Sequence, residues 1–71
     1  MNSEQLEQGW ELHQRGALDA AGEIYAQVLA STPTNVRCLF LFGALEMQRG
    51  KIEDAYRHLQ AAANIDPYDL D

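Results

Sequence analysis

Basic residues are scarce in this chain. Five Lys and Arg stand against eleven Asp and Glu, a formal net charge of −6 over 71 residues. Nucleic acid and anionic membrane surfaces are bound by positive surfaces, so neither is expected as a partner. Cysteine occurs once, at Cys38, which excludes an internal disulfide; a buried, unreactive thiol in a reducing compartment such as the cytoplasm is the expectation. Long apolar runs are missing too. The stretch from Val36 to Leu45 is interrupted by Arg37 and falls far short of the ~20 residues that span a bilayer. The opening "MNSEQLEQGW" is polar and acidic, unlike a signal peptide.

What is present is a globular composition, 46% hydrophobic, in a chain sized for one domain. A domain this small buries only about 60% of its unfolded surface, so it has little stability to spare. The most apolar segment is "CLFLFGAL", Cys38 to Leu45.

Compared with itself at a shift of 34, the chain is two copies of one unit. "QRG" at Gln14–Gly16 returns at Gln48–Gly50, Gly9 falls on Gly43, Ala21 on Ala55 and Pro33 on Pro67. Leu18 pairs with Ile52, Asp19 with Glu53 and Tyr25 with Leu59. Each unit reads as two helices. Gly16 and Gly50 sit where a left-handed residue ends a helix, and Pro33 and Pro67 close the second helix of each unit. Asn2 or Ser3 is a candidate cap for the first helix, and Thr34 or Asn35 for the third. These signals predict helices near 3–15, 18–31, 36–49 and 52–65, and no segment alternates as a strand.

The pattern resembles the tetratricopeptide repeat (TPR) family. Gly9, Leu12, Gly16, Leu18, Ala21, Tyr25 and Pro33 carry it in the first unit. Leu39, Phe42, Gly43, Gly50, Ile52, Ala55, Leu59, Ala62 and Pro67 carry it in the second. The resemblance implies an all-α fold: two TPR helix-turn-helix hairpins, four helices, stacked as a short right-handed α-solenoid. Residues 1–71 form one domain in this reading, with repeat one at about 2–35 and repeat two at about 36–69. Departures are Gln5 and Gln8 opposite Leu39 and Phe42, and Glu46 opposite Leu12. The two glutamines suit a first helix with no preceding repeat.

The third helix would be the central one. Leu39, Phe42 and Gly43 share a face for its partner helix, and Cys38 and Leu45 point toward the second helix of unit one. Phe40, Leu41, Ala44 and Met47 remain, at i, i+1, i+4 and i+7, one stripe of a helix. By resemblance this stripe lines the concave groove where the family holds peptides. The groove candidates are Leu6, Trp10, His13, Arg37, Phe40, Leu41, Ala44 and Met47, with Leu6 and Leu41 reading equally well as core. Leu6, Trp10 and Leu41 stand where relatives that hold the C-terminal carboxylate of heat-shock chaperones place charged or amide groups, which makes that ligand a poor match.

No catalytic or metal constellation appears, so neither an enzyme nor a cofactor is expected. His13 and His58 read as partly exposed helix residues without ligand-spaced companions. A third unit starts after Pro67, with Asp69 as a cap and Leu70 opposite Val36, and then stops at residue 71, so the chain reads as the N-terminal part of a longer TPR protein in preference to a dimer. The fourth helix carries Ala55, Leu59, Ala62, Ala63 and Ile65, and nothing in this chain covers its far side. The primary expectation is a non-catalytic module that binds an apolar or aromatic segment of a protein partner. One rival is the N-terminal recognition or regulatory arm of a larger enzyme, such as a bacterial glycosyltransferase. The other is a self-assembly unit, a homodimer that covers its own apolar faces.

Overall fold

The computed structural model describes residues 2–65, which form four α-helices and, among the described residues, no strand. The helices are α1 (Asn2–Gln14), α2 (Leu18–Ser31), α3 (Val36–Gln48) and α4 (Ile52–Ile65). Pro67, Asp69 and Leu70, on which the closing proline and the third-unit start were read, lie outside the described residues.

The two tight turns repeat bond for bond. Gly16 and Gly50 adopt φ of +86° and +80°, a region that residues bearing a Cβ rarely enter. The Gly16 N–H donates to the His13 carbonyl at 3.1 Å and the Ala17 N–H to that of Leu12 at 2.9 Å. Thirty-four residues on, the Gly50 N–H donates to Met47 at 3.1 Å and the Lys51 N–H to Glu46 at 2.8 Å. This double bond pattern satisfies the last carbonyls of each first helix and reverses the chain within two residues.

Helix starts are less uniform. Asn35 caps α3, its side-chain oxygen accepting from the Cys38 N–H at 3.0 Å. Ala17 precedes α2 without a side-chain cap. Asn2 and Ser3 already lie inside α1, so neither sits in the position ahead of the helix that a cap requires. At the other end of α2, the chain leaves the helix at Thr32, immediately before Pro33, as the steric restriction of a pre-proline residue requires.

Within each hairpin a glycine sets the spacing. A Cβ on Gly9 would lie 2.7 Å from the Tyr25 ring, and one on Gly43 would lie 2.7 Å from Leu59 Cγ. Helix α2 then joins the hairpins by packing on α3. The shared core is Tyr25, Val28, Ala21, Cys38 and Leu45, with Leu6 at its edge. Full burial of Val28 and Leu45 stabilises the fold by about 1.5–3 kcal/mol each. Cys38 and Leu45 thus face α2, and Gly43 faces α4, as the sequence pattern implies.

The apolar run of α3 is buried on part of its circumference only. Cys38, Leu39, Gly43 and Leu45 are buried, whereas Phe40 and Met47 are exposed. On α4, Ala55 and Ala62 are fully buried within the hairpin, so they are not part of its uncovered side. Exposed on α4 are Ile52 and Tyr56, on one side of the helix, and Ile65, on the opposite side.

Candidate functional site

Two helix faces meet in an open groove of about 570 Å³. From α1 come Ser3, Leu6, Glu7 and Trp10, and from the start of α3 come Asn35, Arg37, Phe40 and Leu41. The spacing explains the arrangement. Residues 3, 6, 7 and 10 form one stripe of α1, and residues 37, 40 and 41 fall on the same stripe of α3 after the 34-residue shift. The packing of α2 on α3 sets the first helices of the two hairpins side by side, so two equivalent stripes become two walls.

The walls differ in depth. Leu6 belongs to the core and is 6% exposed, forming the floor. Leu41 is half-buried and packs on the same core. Trp10 and Phe40 stand out at 42% and 45% exposure, an unusual state for large aromatic side chains in so small a domain. Arg37 is exposed and makes no ion pair among the described residues, and Glu7 is exposed on the opposite wall. An apolar floor flanked by two aromatics, with one cation and one anion at the rim, can take up an apolar side chain and orient what surrounds it.

Five of the eight groove candidates, Leu6, Trp10, Arg37, Phe40 and Leu41, line this groove. Ala44 and Met47 do not, although Met47 is exposed further along α3. His13 is a correction twice over: it is outside the groove lining and it is buried rather than partly exposed. Its ring bridges Tyr25 and Gln48, and these contacts draw it under the surface. With Gln48 presenting its carbonyl oxygen, Nε2 carries the proton and donates to Oε1, and the Tyr25 hydroxyl donates to Nδ1 at 3.2 Å. His58 is half-buried, as a partly exposed residue should be, with its Nδ1 bonded to the buried carboxyl of Glu46. Ser3 and Asn35 were missed, and Glu7, which matches Leu41 on the stripe of the first unit, was not counted among the candidates. Ser3 could have been found as the first-unit equivalent of Arg37.

Behind Trp10 the rings continue into the core. Trp10 meets His13 edge-on with centroids 5.4 Å apart, His13 meets Tyr25 at 6.0 Å, and Tyr25 meets Phe42 at 5.9 Å. Phe42 then stacks on His58 at 4.6 Å. Trp10 is therefore seated on packed rings.

Burial pushes the Cys38 thiol up to about 12 from an ordinary 9.0, and its Sγ–H donates to the Tyr25 carbonyl at 3.3 Å. Burial, and then the proximity of Cys38, push the Tyr25 phenol up to about 12. Both stay protonated at neutral pH, so neither is a nucleophile there. Among the described residues no group of His, Cys, Asp or Glu could hold a metal ion, and no helix is long and apolar enough to cross a membrane.

Two repeated helical hairpins packed through α2 and α3 define a helical-repeat fold. A tetratricopeptide repeat family model matches residues 12–70, and the chain belongs to that family. Neither the curated proteins nor the solved structures contain a match to it. Tetratricopeptide repeats in general mediate protein–protein interaction and are typically non-catalytic.

Proposed function

We propose that the chain is a non-catalytic module that holds an apolar or aromatic segment of a protein partner in the groove between α1 and α3. The observation that supports this best is the exposure of Trp10 and Phe40 on opposite walls above the Leu6 floor. Exposed aromatics in a concave site are frequent anchors of binding energy, since they bury much area and lose little side-chain entropy. Arg37, at the rim and in no ion pair among the described residues, favours a segment with an acidic residue beside its apolar anchor. The free buried thiol of Cys38 suits a reducing compartment, the cytoplasm.

Trp10 is the chain's single tryptophan, so its fluorescence reports the groove alone. Peptides selected from a random library against the chain should be rich in Phe, Leu and Trp, and those that carry no tryptophan should shift that fluorescence. The double substitution Trp10→Ala and Phe40→Ala should weaken the selected peptides by about 2 kcal/mol or more, while the helical circular-dichroism signal stays. Equal binding by the double variant would reject this groove.

A further inference from the structure

Trp10 is exposed on its wall, and among the described residues no side-chain hydrogen bond holds it there. What it rests on is His13, one turn further along α1, which it meets at an interplanar angle of 76°. That ring is fixed from two other helices. The Tyr25 hydroxyl of α2 donates to Nδ1, and Nε2 donates to the Gln48 side chain of α3. Both ring nitrogens are engaged, so turning the ring about either side-chain torsion breaks a bond.

The bond to Gln48 reaches the other wall, because Gln48 and Phe40 both belong to α3. Among the described residues it is the one side-chain hydrogen bond that joins α1 to α3. It ties the ring beneath Trp10 to the helix that carries Phe40. The arrangement occurs once in the chain. After the shift of 34, His13 and Tyr25 become Met47 and Leu59, which cannot form it. The second hairpin closes without these bonds, so closing a hairpin does not by itself account for them.

We infer that His13 is a positioning residue of the groove: held by Tyr25 and Gln48, it seats Trp10 at a set distance and tilt from Phe40. Both aromatic anchors then stand in place before a ligand arrives. This role rests on the reading of the groove as a binding site, and it adds two residues, His13 and Gln48, that line no part of that groove. A site whose anchors are already ordered loses less entropy on binding, which raises affinity without any new contact.

Gln48 is exposed and outside the groove, so it can be changed without touching a ligand. Gln48→Leu removes the acceptor at nearly the same size, whereas Gln48→Glu keeps an acceptor in the same place. Both are tested with dye-labelled peptides selected on the parent chain, by anisotropy, where circular dichroism shows each variant fully helical. Gln48→Leu should bind about fivefold more weakly. In the free chain its single tryptophan should emit further to the red and be quenched more strongly by acrylamide. Gln48→Glu should stay within about twofold of the parent and keep the parent emission. In a Trp10→Ala background, Gln48→Leu should cost less than about twofold, because its effect runs through Trp10. The role is overturned by parent-like affinity and emission in Gln48→Leu, by equal losses in Gln48→Leu and Gln48→Glu, or by an undiminished loss in the Trp10→Ala background. If the parent chain selects no peptide, the groove reading falls by itself. The emission of free Gln48→Leu then decides the seat of Trp10: a red shift upholds it and an unchanged spectrum overturns it.

Discussion

The two hairpins share a backbone design and close it with different chemistry. In the first, positions 12 and 24 are Leu and Ile, both packed against the core, while positions 13 and 25 are the hydrogen-bonded His13 and Tyr25. In the second, the places of Leu12 and Ile24 hold Glu46 and His58, hydrogen-bonded to each other, and the places of His13 and Tyr25 hold Met47 and Leu59. Each hairpin therefore has one hydrogen-bonded cross-helix pair, at positions 13 and 25 in the first and 46 and 58 in the second, with apolar residues at the other two places. Equal backbones show that the joint between paired helices accepts either chemistry, provided both members of a pair change together. A buried polar group with its partner is tolerable, and one without it is costly.

The largest expected effect breaks a pair from one side. His58→Ala leaves the Glu46 carboxyl buried with no hydrogen-bond partner and should destabilise the chain by about 3 kcal/mol in urea unfolding. Installing the first hairpin's pair, Glu46→Leu with His58→Ile, should return stability to within about 1 kcal/mol of the parent. A double variant as unstable as the single one would show that the pairs are not interchangeable.

The glycines sharpen the same comparison. Gly9→Ala drives a methyl against the fully buried Tyr25 ring, and Gly43→Ala drives one against Leu59 Cγ with the Ala55 carbonyl 3.3 Å away. Overpacking costs about 1–3 kcal/mol, so both variants should be destabilised to a similar degree within that range, read as shifts in the unfolding midpoint.

The smallest effect is Tyr25→Phe. It removes the hydroxyl that donates to His13 Nδ1 and should cost about 1 kcal/mol. Combining it with His13→Met, which removes the orphaned ring, should recover most of that loss.

The helices and their turns were legible in the residues because they depend on local signals. Gly16, Gly50 and Asn35 act within a few residues of themselves, and the four predicted helices end within one residue of those observed. The groove was legible in part. Trp10, Phe40 and Arg37 follow from helical periodicity and the shift of 34, since equivalent stripes of equivalent helices must lie side by side. Ala44 and Met47 lie on the same stripe but are not among the residues that line the groove. His13 was misplaced because its burial depends on Tyr25 and Gln48, one on the second helix and the other on the third.

The sequence by itself determined the repeat, the all-α class and the close approaches at Gly9 and Gly43, because periodicity and backbone freedom are properties of neighbouring residues. Only the tertiary structure decided which side chains stay in water. Trp10 is exposed and His13, three residues on, is buried, since burial is set by what another helix brings opposite, and no local pattern records that.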